Sequence, residues 1–350
     1  MTMMATTLQN PPGANAVDIE KPAGAAGSGD ALSRIASAGK RSYLGMLAEA
    51  LMLRCGAGRL SLDEYVQWKL FDNELYSGAD KRAFIGIKAT RKVWFQANYQ
   101  VSHFALANNK IASGIWFATH GIPVLPTIAI FHEAVGRPGP FLLRNDDDLR
   151  AYLRNSEHYP LFGKPIDGYQ SIGSASVERY EPERDCLLMT MGHRVSLDTF
   201  VEYVKAHART GYQFQLRVTP HAAVREMCGD RLATVRLLTI LMDGKPQIIR
   251  ACWKIPAGVH AADNFWRPGN VLAELDLASG RVLRAIRRSE NDCDEITHHP
   301  DTGVRITGTV VPNWSEVTQL ACDSARILDE LPLVGWDIAP VDSGAILAEA

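Results

Sequence analysis

Residues 158–177, HYPLFGKPIDGYQSIGSASV, run from an apolar stretch through Lys164 and Pro165 into a loop holding Asp167, Gly168, Ser171, Gly173 and Ser174. A lysine leaving a strand beside glycines and hydroxyls supplies a point charge and backbone N–H groups with no side chain in the way, which is what a polyphosphate needs. Glycine and serine are also ordinary turn residues, so the stretch alone reads first as a surface loop. A second chemical feature lies at the far end of the chain. Asp337 in LVGWDIA and Glu349 in AILAEA are acids embedded in otherwise apolar strands. Such carboxylates are costly unless compensated. Two of them on neighbouring strands can share divalent cations, and hard oxygen ligands suit Mg²⁺ bridging to phosphates. The competing reading has Asp337 capping a turn or pairing with an arginine.

Other tempting residues carry less. His298 and His299 followed by Asp301 suggest a metal, but adjacent histidines on a strand point to opposite sides, and HHPDTG reads as a solvated turn. Asp292, Asp294 and Glu295 read as a loop of exposed acids. Ser171, Ser174 and Ser176 have no local His–Asp partner for nucleophilic catalysis. Trp253, Trp266 and Trp336 read as core, with Trp266 also able to line an acceptor pocket beside Asn264. Tyr65, Trp68, Phe71 and Tyr76 read as packing.

The elements that must position these groups follow from periodicity. Residues 1–40 are rich in Ala, Gly, Pro, Asn and Ser and read as a disordered tail. Residues 41–97 read as a helical region, with Ser61 capping a helix and Glu64 completing the cap. An amphipathic helix is expected over 98–118, with Lys110 solvated on it, followed by a strand in VLPTIAIF. DDDLRAYL opens another helix, its acids favourable against the helix dipole. Strands over 177–180 and 186–191 pair as a hairpin, and Ser196 caps a helix over 197–207. Strand-like runs at 211–218, 234–242, 247–254 and 271–276 follow, and Ser315 caps the last helix. Residues 333–338 and 345–349 close the chain as a hairpin. Many antiparallel strands after a helical start predict an α+β fold.

The chain has 350 residues, 46% hydrophobic and 22% charged, with a formal charge of -2. This is long enough for a substantial core and gives no electrostatic reason to expect nucleic acid as a partner. No apolar run approaches membrane-spanning length, and no secretory signal is visible. The six cysteines are scattered without metal-type spacing, so a reduced, cytoplasmic setting is expected.

Taken in order, FGKP, TVRLLT (234–239), ADNF (262–265), GWDIA (335–339) and AILAEA (345–350) resemble the ATP-grasp fold over about residues 100–350. The closest resemblance is to its sugar-transfer-associated branch, found with polysaccharide biosynthesis genes; the chain is also similar to glutamate-ligase-like members. The resemblance implies two α+β lobes with nucleotide between them, in a domain over 98–350 after the helical region. It implies that Lys164 contacts the ATP phosphates, that 168–174 (Gly168, Ser171, Gly173, Ser174) form a flap, and that the hinge at Gln215, Arg217 and Val218 holds the adenine. It implies catalytic roles for Arg236, Lys254 and Asn264, and Mg²⁺ ligation by Asp337 and Glu349. Leu216 stands where the family usually has an acid, and Arg267-Pro268-Gly269 where it commonly has a glycine pair. The family's last strand continues to an asparagine ligand beyond Ala350, so a truncated C-terminus is expected. The implied activity is an ATP- and Mg²⁺-dependent ligase that activates a small-molecule carboxylate as an acyl-phosphate for attack by an amine or other nucleophile. Two alternatives remain: direct phosphoryl transfer to a sugar or alcohol, and a catalytically impaired nucleotide-binding scaffold working with polysaccharide-biosynthesis proteins.

Overall fold

The computed structural model describes residues 28–37, 41–98, 101–133, 142–168, 171–264, 267–289 and 293–350. Seven helices come first: α1 (Ser28–Ser37), α2 (Tyr43–Cys55), α3 (Leu62–Gln67), α4 (Gly78–Ala83), α5 (Ile87–Ala97), α6 (Val101–Asn108) and α7 (Lys110–Thr119). α1 corrects the expected tail over its last part. Leu32 is fully buried there, in a small core with Met46, Leu53, Leu60, Tyr65 and Leu70. Residues 1–27 lie outside the described residues, as do Trp266 and Asp292.

Ser61 forms the expected capping box. Its hydroxyl accepts from the Glu64 N–H, and the Glu64 carboxylate accepts from the Ser61 N–H. The same carboxylate also accepts from Ile87 N–H at 2.6 Å, so one acid sets the start of α5 against α3. The single helix expected over 98–118 is two. Asn109 interrupts it and caps α7, accepting from the N–H groups of Ile111 and Ala112. Asn98, fully buried, bonds both backbone groups of Leu333: its Nδ2 donates to Leu333 O at 2.8 Å, and its Oδ1 accepts from Leu333 N at 2.9 Å.

Next come β1 (Thr127–Phe131), β2 (Leu142–Leu143), α8 (Asp146–Arg154), β3 (Leu161–Pro165), β4 (Ala175–Glu181), β5 (Cys186–Met189), β6 (Arg194–Ser196), α9 (Leu197–His207) and β7 (Tyr212–Leu216). They build a seven-stranded sheet in the order β2-β1-β7-β3-β4-β5-β6. Only the β1–β2 pair in it is parallel. Leu149 and Leu153 of α8 and Leu197, Phe200, Val201 and Val204 of α9 recur at helical spacing and pack on Leu161, Val177, Leu187 and Phe214. Burial of each such side chain contributes roughly 1.5–3 kcal/mol.

The second sheet follows α10 (Ala222–Cys228). Its strands are β8 (Val235–Met242), β9 (Lys245–Ile255), β10 (Val271–Leu275), β11 (Val282–Arg288) and β12 (Cys293–Ile296), then, after α11 (Trp314–Ile327), β13 (Leu333–Val341) and β14 (Gly344–Glu349). The order is β12-β11-β10-β9-β8-β13-β14, antiparallel throughout. Val317, Leu320, Ala321 and Ala325 of α11 pack on it, and Trp253 and Trp336 are buried as expected. α11 is preceded by Asn313 in a left-handed conformation rather than capped by Ser315, whose hydroxyl turns to Glu316. HHPDTG is only half solvated. His299 is buried, its Nε2 donating to Pro256 O and its Nδ1 accepting from the Asp301 N–H.

Candidate active site

β3 of the first sheet and β14 of the second meet through one ion pair. Lys164 Nζ donates to Glu349 Oε1 at 2.7 Å. Lys164 is buried because its strand is central, flanked by β7 and β4. Glu349 lies across from Asp337 in the β13–β14 register, and Asp337 lies across from Arg236 on β8. Arg236 grips Asp337 with two bonds, Nε to Oδ1 at 2.5 Å and Nη2 to Oδ2 at 2.6 Å. Lys254 of β9 adds a third, Nζ to Oδ2 at 2.8 Å. The arginine pairing weighed for Asp337 is therefore present, with a lysine beside it.

Two residues to which the sequence reading gave no role in the site complete the row. Asp263 stands 3.5 Å from Lys254 Nζ and accepts from both N–H and hydroxyl of Thr234. Lys110, expected to be solvated, donates instead to Gly168 O at 2.7 Å and Ile166 O at 3.3 Å, so an ammonium from α7 holds the backbone of the Lys164 loop. Four cations thus face three acids.

Their charge states follow from this crowding. Burial pushes Asp337 up, but Lys254 and then Arg236 outweigh it and hold the carboxyl far below the usual range. Glu349 is likewise raised by burial and lowered more by Lys164 and Lys110, ending below its ordinary value. Protein surrounds Glu349, yet 37% of its side-chain surface stays open, because it borders the cleft. Burial dominates at Asp263, which ends above its ordinary value. It also dominates at Lys110, which ends below. Burial lowers Lys254, but Asp263 and Asp337 together bring it above its ordinary value.

The row divides the cleft in two. The smaller compartment is lined by Lys164, Gly168, Ser171, Ser174, Gln215, Arg217 and Val218, with Lys254, Asp337 and Glu349 at its inner end. Phe162, Ile172, Leu216 and Leu232 give it apolar sides. Gln215 Nε2 donates to Leu125 O, while its buried Oε1 has no hydrogen-bond partner. Arg217 is tied to Glu178 at 2.7 Å and to Thr190 at 2.8 Å. Asp301 accepts from Arg231, another lining residue, at 3.1 Å. Arg236 and Asn264 line the larger compartment instead, of about 650 Å³. Gly173 lines neither. Its carbonyl accepts from the Tyr212 hydroxyl, and at φ +79° a Cβ would overlap His207 and Pro165, so it roots the loop.

Among the described residues no group of three or more His, Cys, Asp and Glu side chains is arranged to hold a metal. The donor chemistry of Asp337 and Glu349 nevertheless fits Mg²⁺, which takes one or two carboxylates and completes its shell with water and phosphate oxygens. No helix among the described residues is long and apolar enough to cross a membrane.

No curated protein matches the chain. Among solved structures it is similar to a biotin carboxylase from Campylobacter jejuni in complex with β,γ-ATP (10% identity, TM-score 0.40, covering 70% of this chain and 40% of that one). It is also similar to the D-alanine-D-alanine ligase from Coxiella burnetii (12%, TM-score 0.38, 70% and 47%). A third is the L-amino acid ligase from Bacillus licheniformis (10%, TM-score 0.36, 70% and 40%). The chain spans less than half the length of each of these three. Residues 90–349 match the family described as sugar-transfer associated ATP-grasp. A match over that much of the chain assigns the fold as well as the kinship: the chain belongs to the sugar-transfer associated ATP-grasp family.

Proposed function

We propose that the chain binds ATP with Mg²⁺ in the smaller compartment and transfers the γ-phosphoryl group to a small-molecule carboxylate, as a ligase that works through an acyl-phosphate. The observation that carries this reading is the row of Lys164, Lys254 and Arg236, interleaved with Asp337 and Glu349 between two compartments. Phosphoryl transfer is chiefly positioning and charge neutralisation, and this row provides fixed positive charge where two ligands would meet.

The residues have separable parts. The apolar sides take the purine, and the unpartnered Gln215 Oε1 accepts from its exocyclic amine. The loop rooted at Gly173 and held by Lys110 covers the phosphates. Lys164 and Lys254 turn from the acids to the phosphate oxygens. Asp337, still gripped by Arg236, and Glu349 would hold the metal, which would neutralise phosphate charge. A substrate carboxylate oxygen bonds to the γ-phosphorus as the bond to ADP breaks. An amine then attacks the acyl carbon, inorganic phosphate leaves, and the nitrogen gives up a proton. Asn264, bordering the larger compartment, lies on the acceptor side. A role beside polysaccharide-building proteins is part of the same reading.

The test is calorimetry with ADP and Mg²⁺, followed by incubation with ATP, candidate acids and hydroxylamine. We expect Mg²⁺-dependent binding, a hydroxamate product, and at least about tenfold weaker binding in Lys164→Ala, the effect of one charge-assisted contact. Binding without turnover selects a nucleotide-binding scaffold, and a phosphorylated sugar or alcohol selects a phosphotransferase. Unchanged affinity in Lys164→Ala overturns the phosphate assignment.

A further inference from the structure

The larger compartment has one side built by the helical layer, and Trp68 on that side lies before the span matched by the family. Trp68 closes α3, while Arg91 and Trp94 sit three residues apart on α5, on one face of that helix. Glu64 fixes the two helices relative to each other by accepting from Ser61 and Ile87 N–H groups at once. The indoles and the guanidinium are therefore held on a preset frame.

The opposite side is polar: Asp263, Asp337 and Glu349 line it, each already paired with a lysine, beside donors that are not fully used. Gln213, fully buried, sits across from Lys164 in the β7–β3 register. Its Oε1 accepts from Thr127, but its Nε2 has no acceptor. A buried amide donor without a partner is destabilising, and a bound oxygen would relieve it. Arg236 uses Nε and Nη2 on Asp337 and keeps 47% of its side-chain surface open. Among the described residues no acid pairs with Arg91. Indole side chains that share a compartment with a half-open guanidinium and an amide donor lacking an acceptor suit a flat or ring-shaped body that carries negative charge.

We infer that this compartment is the acceptor site, that it takes a carboxylate carried on a sugar-sized ring, a uronate, and that Trp68, Arg91 and Trp94 determine this specificity. The ring lies on the indoles, and the carboxylate reaches toward Arg236 and the Gln213 amide beside the phosphate-binding row. The inference rests on the proposed ligase reading for the direction in which the carboxylate points, but not for the binding itself.

The test is calorimetry of the full chain with D-glucuronate and D-galacturonate, with L-glutamate and D-alanine as acyclic comparators, alongside ADP with Mg²⁺. The expected result is saturable uronate binding that exceeds that of the acyclic acids at least tenfold. Trp68→Ala, Trp94→Ala and Arg91→Gln should each weaken it at least tenfold with ADP affinity unchanged. Arg91 is exposed, so Arg91→Gln keeps the test valid if a tryptophan variant fails to fold. Absent uronate binding in a chain that binds ADP overturns the inference, as does equal binding of the acyclic acids or indifference to all three substitutions. Uronate binding without ADP binding upholds this site and removes the ligase reading instead.

Discussion

Each acid in the row already has a cationic partner, yet the sequence disclosed only some of these groups. Asp337 and Glu349 stood out because an acid in an apolar strand must be compensated, and Lys164 because it ends a strand at a glycine-rich loop. Lys110 and Asp263 did not. Lys110 sits on an amphipathic helix, and its carbonyl partners lie 56 and 58 residues further on, a pairing no local pattern announces. Asp263 sits in an irregular loop, and its partner Thr234 lies 29 residues earlier. Two substitutions test the row. Asp337→Asn leaves Arg236 and Lys254 facing a neutral amide, which we expect to cost about 2–4 kcal/mol in urea unfolding, somewhat below a fully buried pair because Arg236 reaches cleft water. Wild-type stability would show that the cations find other partners. Lys110→Met should weaken ADP binding about five- to tenfold while changing stability by less than about 1 kcal/mol, since relief from burying an ammonium offsets the lost bonds. Full affinity in that variant would remove Lys110 from the site.

Elements were more legible than their joints. α9 starts at the expected Ser196 cap, and the β4–β5 and β13–β14 hairpins fall where alternation and turn residues put them. The arginine-rich β11 and the short β12 pass unnoticed, because VLRAIRR at an outer position lacks a continuous apolar run. One joint bears on binding. On β3, Gly163 leaves room for Tyr212, whose ring would lie 2.5 Å from an added Cβ and whose hydroxyl holds Gly173 at the loop's root. Gly163→Ala should therefore cost about 1–3 kcal/mol by overpacking. It should also free the loop, seen as faster proteolysis near residue 173 and weaker ADP binding; unchanged cleavage would show that Tyr212 adjusts without releasing it.

At the scale of the whole chain, the site is assembled from strands that are 185 residues apart, so stability and site integrity respond to pH together. Burial lowers the His299 imidazole below its usual 6.5. Its stabilising effect is complete above about pH 6.5, the unfolded value, and is lost as pH falls through the lowered folded value. Asp337 and Glu349, also lowered, hold theirs above about pH 4 and lose it on further acidification. Melting temperature should thus fall between pH 7 and 5, and His299→Gln should flatten that fall; a parallel slope in the variant would assign it elsewhere. The second sheet is also tied to the helical layer at one backbone position. At Leu333, the first residue of β13, both main-chain groups bond to a side chain rather than to a strand. The Asn98 amide fills that place, donor to acceptor and acceptor to donor, as a strand residue from a neighbouring chain would. A single side chain at the end of α5 thus stitches the helical layer to the sheet in a strand's manner, and Asn98→Ala should reveal it as a lower melting temperature and faster proteolysis between the two; unchanged values would show that other contacts hold them together.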